Sequence, residues 1–303
     1  MTETAVNELA SLGPYFLWQL RAIGPYWVLG IVLGSTISVF GKGRIHSILG
    51  AMQRRRLGVF GIFFASVLGL ASPLSLHGTI PIAAALSEKG MKDHWLAALM
   101  MSSMLLNPQQ VIYTAALGPF ILTVRLIVCC LCGVVAGLLV KYFFRKKDFF
   151  NFSGFGPGRD RDTDPSLWIR WLKNVGRNIR ATGPWFFLGI VLAVLFLRYV
   201  PASAFGSFFG GKNSFGVAMA ALMGIPLYVC GGGAIPLLLG WLQRGMSSGS
   251  AIAFMLTGPP TKITNLSAAK IVLGNKSYML YMLYVFAFAL FSGLLLTLST
   301  GQG

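Results

Sequence analysis

Long apolar stretches alternate with short interruptions rich in glycine, proline and polar residues along most of the chain. A helix needs about 20 apolar residues to cross the hydrocarbon core of a bilayer. The pattern predicts a first span over 14–40, a returning segment over 57–71 and a long span over 120–144. Shorter apolar helices are expected over 81–86 and 94–106. This is the pattern of a protein that crosses a membrane several times.

Two of the interruptions contain the most polar residues. The first covers 72–81 and 106–110, and the second covers 228–236 and 257–262. In lipid, a broken helix leaves N–H and C=O groups that are tolerated only inside protein or along a wet cavity. Paired breaks of this kind are the best sequence indication of a transporter's binding site.

The second half of the chain repeats the first. The matched segments are 24–33 with 183–192, 60–69 with 215–224, 78–81 with 233–236, 90–91 with 245–246, and 137–139 with 293–295. The offset is 159 for the first pair and 155 for the next. After Gly245 we expect it to drop by about one helical turn, which would align Pro259 with Pro108. Chance similarity does not produce so many matches in order.

Composition supports the membrane interpretation. The 303 residues are 55% hydrophobic and only 11% charged, which excludes an ordinary soluble domain. The net charge of +17 is not a nucleic-acid signature, because the basic residues lie at the ends of apolar spans. There they act as topology signals and contact anionic lipid.

The basic segments 42–56 and 145–180 are both expected to be cytoplasmic. Each half then has an odd number of crossings, so the halves are inverted relative to each other. The fold class predicted is an all-α polytopic membrane protein with two inverted repeats of about five membrane segments each, whose breaks meet near the midplane. The breaks are either full crossings or re-entrant hairpins. The predicted divisions are an N-terminal repeat (1–144), a cytoplasmic linker (145–182) and a C-terminal repeat (183–303).

The linker contains an amphipathic helix. Asp164 and Pro165 form a good start, and Trp168, Trp171 and Leu172 then lie on one face of 166–180. Such a helix lies in the membrane interface or, alternatively, remains solvated as a basic linker.

The acids exclude several functions. All eight lie in a terminus or a predicted loop, so no carboxylate within the membrane holds a metal ion or carries a proton. The four cysteines include no CxxC pair and no disulfide framework. We therefore expect no metal, no cofactor and no enzymatic activity.

The candidate substrate-binding residues are the polar side chains at the breaks. They are Ser75, His77, Thr79, Asn107, Gln110, Cys230, Thr257, Thr261 and Lys262. The residues predicted to break the helices are Gly78, Pro81, Pro108, Gly233, Pro236, Pro259 and Pro260. The alternative is that these glycines and prolines only help helices to pack.

Three of these side chains have a specific alternative role. Lys262 binds an anionic substrate, functions as a neutral amine, or extends to an interface. His77 carries a proton near neutral pH or is a hydrogen-bonded packing residue. Cys230 holds a thiophilic substrate or is a small buried apolar residue.

The second break carries a family resemblance. Residues 230–236, with Gly245 and 251–260, resemble the Cys-x-x-Gly-x-x-Pro … Ala-x-x-Phe-Leu-x-x-x-Pro pattern of the ArsP-like predicted permeases. The first half carries a companion form at 77–81 and 105–108. The segments 117–118 with Arg125, and 273–276, also look like that family.

The resemblance implies an inner-membrane permease of bacteria that exports a small substrate by alternating access. Its understood members export trivalent organoarsenicals, so the implied substrate is an organoarsenical or another soft or anionic solute. The partners implied are that small molecule and the lipid bilayer, with no nucleic acid. The alternative is a channel-like pore for a small anion or neutral solute. Two positions depart from the family, because Ser75 replaces a cysteine and Lys262 replaces an asparagine.

Overall fold

The computed structural model describes residues 2–41, 47–48, 51, 58–72, 76–88, 90–144, 149–152, 164–201, 205, 208–209, 214–228 and 231–300. Side chains are described for these residues except at 2–11, 76–78, 81 and 263–264. This part of the chain is helical and contains no strand, as predicted.

Eleven α-helices make up the described part of the chain. They are α1 (Thr2–Thr36), α2 (Phe60–Ala71), α3 (Leu76–Glu88), α4 (Asp93–Leu105), α5 (Pro108–Ala115), α6 (Pro119–Phe143), α7 (Leu167–Tyr199), α8 (Ser214–Leu227), α9 (Gly231–Gln243), α10 (Ser248–Thr261) and α11 (Ile263–Thr300). Helix α1 continues into one short π-helical segment, Ile37–Gly41.

Four of the helices are long and apolar enough to cross a bilayer. The spans are Leu12–Gly41, Pro119–Phe143, Leu167–Tyr199 and Asn265–Thr300. The helices between them have 8 to 14 residues, which is shorter than the about 20 that a crossing needs. The protein is therefore a multi-pass membrane protein in which short helices lie between long ones.

The order of long and short helices recurs at a constant offset. Helices α3, α4 and α5 begin 155 residues before α9, α10 and α11, respectively. Glycines with positive φ follow nearly the same spacing: Gly90 lies 155 residues before Gly245, and the turn at Gly118 lies 156 residues before a kink inside α11 at Gly274. The expected drop in offset after Gly245 is therefore wrong, because Pro259 and Pro260 lie inside α10 and the helix ends after them.

Packing inside the two halves also recurs. A Cβ on Gly69 would lie 2.5 Å from the Leu99 carbonyl oxygen, and one on Gly224 would lie 2.7 Å from the Phe254 carbonyl oxygen. Gly69 thus brings α2 against the backbone of α4, and Gly224 brings α8 against the backbone of α10. Neither tolerates a side chain without a backbone shift.

The central helices of the two halves are α4 and α10. Every residue of α10 is buried, as is every residue of α4 from Trp95 onwards. Helices α2 and α6 pack around α4, and α8 and α11 pack around α10. These two short helices form the core of the molecule.

Besides Pro259 and Pro260, four more of the predicted helix breaks lie inside helices. Gly78 and Pro81 belong to α3, which begins at Leu76, while Gly233 and Pro236 belong to α9, which begins at Gly231. In α9 the glycine serves close packing: a Cβ on Gly233 would lie 2.4 Å from the Trp185 carbonyl oxygen. The last described residues before these two helices are Ser72 and Tyr228, and both are non-helical. The packing alternative for Gly233 is therefore the better interpretation.

The predicted amphipathic helix is not a separate element. It forms the first half of α7, which continues through Pro184 to Tyr199 without interruption. Hydrogen bonds to α1 hold this part in place: Trp171 Nε1 donates to Thr36 Oγ1 at 3.0 Å, and Asn178 Nδ2 donates to Ser35 Oγ at 2.9 Å. The side turned towards α1 thus carries Trp171 and Asn178, whereas Trp168 and Leu172 of the predicted apolar face are exposed. The division at 182 stays a prediction.

The two long helices α1 and α7 pack differently within the two halves. Helix α9 packs closely against α7, whereas the corresponding pair in the first half, α3 and α1, makes at most a marginal contact among the described residues. Likewise α5 packs closely against α1, but the matching first segment of α11 has at most a marginal contact with α7. The long helices α1 and α7 also pack against each other. They therefore lie towards α5 and α9 rather than towards α3 and α11.

Candidate functional site

The first-half break lies where the sequence predicts it, between α4 and α5. Leu106 and Asn107 are extended, and Pro108 opens α5 at a position where its missing N–H costs nothing. Asn107 caps the new helix, since its Oδ1 accepts the Gln110 N–H at 2.9 Å. The break is thus a helix start held by its own side chain.

A polar cavity of about 130 Å³ adjoins this break. Its lining comes from α1, α5, α7 and the residue before α5: Gly34, Ser38, Asn107, Gln109, Asn174 and Asn178. The lining is uncharged and rich in amides, which donate and accept hydrogen bonds. A cavity of this volume is large enough for several water molecules. Asn107 therefore lies beside a polar space.

Gln110 connects this break to the one in the second half. A Cβ on Gly231, the first residue of α9, would lie 3.2 Å from Gln110 Cγ, from Gln110 Nε2 and from the Tyr228 hydroxyl. Gln110 Oε1 is buried and accepts no hydrogen bond from a described residue. The side-chain amide therefore lies between α5 and α9, and its oxygen can accept a hydrogen bond that no described residue donates. Two breaks separated by more than a hundred residues meet here.

No side chain separates the N-terminal backbone of α9 from this junction, because the first residues of the helix are glycines. Around Gly232 a Cβ would lie 3.5 Å from the Trp27 indole and 3.7 Å from the Tyr113 ring. The first N–H groups of a helix have no intrahelical acceptor, and they carry partial positive charge. The junction thus offers backbone donors as well as the Gln110 amide.

Lys262 lies at the second break, within the segment 257–262 that the sequence predicts. It is the non-helical residue between α10 and α11, and its side chain is half-buried rather than enclosed in a span. Its carbonyl oxygen accepts the Leu266 N–H at 2.9 Å, so it begins α11 as Asn107 begins α5. The break predicted at Pro259 and Pro260 thus lies two residues further on.

Side chains at this second break satisfy exposed carbonyl groups. Asn265 Nδ2 donates to the Pro259 oxygen at 2.7 Å, and the Tyr281 hydroxyl donates to the Pro260 oxygen at 3.2 Å. These carbonyl groups belong to the last turn of α10 and have no acceptor role within the helix, so the two side chains complete its C-terminal end.

The predicted threonines lie inside helix contacts rather than at the junction. Thr257 Oγ1 donates to the Ala221 oxygen at 2.8 Å and Thr261 Oγ1 to the Thr257 oxygen at 2.6 Å. Thr79 Oγ1 lies 3.2 Å from Ser103 Oγ. None of the three lines the polar cavity. Of the predicted site residues, the structure brings Asn107 and Gln110 together.

Three predicted positions carry no structural description of their side chains. Ser75 and Cys230 lie outside the described residues, and His77 is described only as part of α3. Their roles stay predictions. Among the residues that the structure describes, no group of three His, Cys, Asp or Glu side chains is placed to hold a metal ion.

Sequence reasoning overlooked the role of Arg125. This residue lies in the apolar span of α6, yet its side chain is only 1% exposed. Its Nη1 donates to Thr114 Oγ1 at 2.5 Å, and Thr114 Oγ1 donates to the Gln110 oxygen at 2.7 Å. The signal was available, because a cation within an apolar span indicates a functional site by default. The same rule had been applied only to Lys262.

A second cavity, of about 90 Å³, lies between α4, α6 and α11. Its lining is almost entirely apolar and includes Met100, Met101 and Met104 beside Tyr281 and Tyr284. The Tyr281 hydroxyl contacts Met104 Sδ at 2.9 Å. This cavity offers dispersion contacts and few hydrogen bonds.

Comparison with known proteins gives one family match. Residues 7–298 match the family described as predicted permease, ArsP_1. A UPF0718 protein of Methanocaldococcus jannaschii is 24% identical over 123 residues, which are 41% of this chain and 34% of that protein. The match thus spans about a third of that relative's length. No solved structure matches the chain.

Proposed function

Since the chain belongs to the ArsP-like family of predicted permeases, we propose that it exports a small solute across the membrane by alternating access. A permease family implies transport rather than catalysis. The proposed path passes through the polar cavity at Asn107 to the junction of Gln110 with Gly231. Substrate binds there, between the two halves.

The asymmetric packing of α1 and α7 carries the proposal of alternating access. Both long helices lie against α5 and α9, while the matching pairs with α3 and α11 make at most marginal contacts among the described residues. In transporters built from repeats, the two halves exchange their arrangements during transport, so that each takes the packing that the other had before. The second state would therefore bring α3 against α1, and the start of α11 against α7. The polar cavity would close as the path on the other side opens.

Inverted orientation of the halves belongs to the same proposal. The basic segments 42–56 and 145–180 support a cytoplasmic location for both, with 200–213 on the opposite side. Single cysteines replacing Ser47 and Ser207, in a chain without its native cysteines, test this with an impermeant thiol reagent on whole cells. Labelling of the Ser207 variant alone is expected. Labelling of the Ser47 variant alone would contradict the inverted arrangement.

The first substrate to test is a trivalent organoarsenical, because the second break resembles the family whose understood members export such compounds. Uptake into inside-out vesicles of the bacterial inner membrane, with a panel of arsenicals, oxyanions and soft metal ions, tests both activity and substrate. Saturable uptake of one class is expected. Flux that rises linearly with concentration would instead indicate a channel-like pore.

Cys230 distinguishes a thiophilic substrate from other solutes. If the substrate binds sulfur, Cys230→Ser abolishes uptake while the protein remains in the membrane. Replacing Cys129, Cys130 and Cys132 together by alanine has little effect, since these residues lie within the apolar span of α6. The opposite result would exclude organoarsenicals as the substrate.

A further inference from the structure

Arg125 is a buried cation in the apolar span of α6. Apart from Thr123, the residues within one turn on either side of it are apolar, and its side chain is 1% exposed. Burying a charge costs several kcal/mol unless an opposite charge or a set of hydrogen bonds compensates it. Arginine does not escape that cost by losing its proton. An expensive group of this kind needs a partner.

The protein itself supplies only part of that compensation. Nη1 donates to Thr114 Oγ1, but Nε and Nη2 are buried without any hydrogen-bond acceptor among the described residues. No carboxylate of the described part of the chain forms a salt bridge with this guanidinium. The Cys129 side chain lies beside it, and a thiol is too weak an acceptor to replace a carboxylate. Arg125 is therefore anchored at one nitrogen and unsatisfied at the other two.

The two unsatisfied nitrogens form one edge of the guanidinium. The N–H bonds of Nε and Nη2 point the same way, with the spacing that matches two oxygens of a carboxylate or phosphate group. Thr114 holds the opposite corner, so this edge is fixed in orientation. A neutral solute or a monatomic ion uses such a fork less well than an oxyanion does.

We infer that Arg125 binds an oxyanion group of the transported solute, a carboxylate or a phosphate-like group. The inference rests on the proposed function, because it names the substrate class of the same path. Thr114 links the guanidinium to the Gln110 carbonyl, at the junction of the two breaks. Since Arg125 is 1% exposed here, the anion reaches it only in a conformation in which the surrounding helices have separated.

Anion-dependent thermal unfolding of the purified full-length protein in detergent tests the inference. Sodium phosphate and sodium acetate are titrated against sodium chloride at constant ionic strength. We expect at least one of the two oxyanions to raise the melting temperature saturably and chloride to have no such effect. In Arg125→Gln the apparent Kd rises about tenfold or more, the size expected when a charged hydrogen-bonding group is lost. Arg125→Lys retains the charge without the fork and has an intermediate Kd.

Arg244 provides the matched control. Its guanidinium is half-buried and donates to the carbonyl oxygens of Val200 and Leu197, so that it caps the end of α7. Arg244→Gln should lower the melting temperature yet leave the apparent Kd within about twofold of wild type. If Arg125→Gln does not fold, the intermediate Kd of Arg125→Lys decides the matter.

The outcomes separate this inference from the proposed function. The inference about Arg125 is overturned if no oxyanion raises the melting temperature of the wild type more than chloride does. It is also overturned if folded Arg125 variants have the same apparent Kd as the wild type. Vesicle flux that is insensitive to Arg125→Gln would leave a permease without an arginine site. An oxyanion shift that depends on Arg125, without flux of any solute, would leave the site and remove the transport function.

Discussion

Gln110 and Gly231 lie in contact between the two halves, because a Cβ on Gly231 would lie 3.2 Å from Gln110 Cγ. Disulfides join Cβ atoms that are about 3.8 Å apart, so cysteines at these two positions are close enough to bond. In a chain without native cysteines, Gln110→Cys with Gly231→Cys should cross-link on mild oxidation. Mass spectrometry of the oxidised double variant measures the cross-link, and its absence would show that these two positions do not meet.

The two single variants are the controls for that experiment, and neither should form a cross-link within the chain. Pairing Gln110→Cys with Gly176→Cys is a further control, since a Cβ at Gly176 meets no atom within 4 Å. A cross-link in that pair as complete as in the first would contradict a specific contact of Gln110 with Gly231.

Gln110 and Gln19 make a matched pair of buried amides. Both have side-chain atoms without a hydrogen-bond partner in the described structure, but Gln19 lies on α1 outside the break. Replacing such a group by leucine removes a desolvation penalty of about 1–3 kcal/mol. Both leucine variants should therefore unfold at a temperature no lower than the wild type. Only Gln110→Leu should lose uptake; equal loss in both variants would remove Gln110 from the path.

How far the sequence predicts this molecule depends on the kind of feature. The helical membrane fold, the repeat and the break at Asn107 follow from apolar runs, matched segments and a proline after a capping residue. Gly233 and Pro236 were misassigned because glycine has two uses, breaking a helix and letting two helices approach. Only the neighbouring carbonyl of Trp185 shows which use applies. The meeting of Gln110 with Gly231 depends on how helices pack, which no local pattern encodes.

Asn107 should stabilise the protein through its cap. Asn107→Ala removes the acceptor for the Gln110 N–H and costs about 1 kcal/mol of stability. Asn107→Ser retains an acceptor of similar reach and should lose little. Unfolding of both purified variants in denaturant measures the difference. If the cap does not stabilise the protein, both variants should unfold at the same denaturant concentration as the wild type.

Lys262 tests what a half-buried amine contributes at the second break. If the amine attracts an anionic solute, Lys262→Arg retains uptake and Lys262→Gln raises the apparent substrate constant. If the amine carries a proton, Lys262→Arg fails as badly as Lys262→Gln, because arginine stays protonated in proteins. Uptake measured between about pH 6 and 9 separates the two cases. Wild-type rates for both variants would show that Lys262 only extends to an interface.

The burial of α4 from Trp95 onwards has a consequence for biosynthesis. This helix has 13 residues, too few to enter the bilayer as an independent span, and part of its cover comes from α11, where the Tyr281 hydroxyl contacts Met104 Sδ. The ribosome makes those covering residues after the whole first half has left it. The first half therefore remains incompletely folded, bound to the insertion machinery or a chaperone, until the second half has been synthesised. A chain truncated between the halves should be degraded in the cell, and co-expression of the missing half should rescue it.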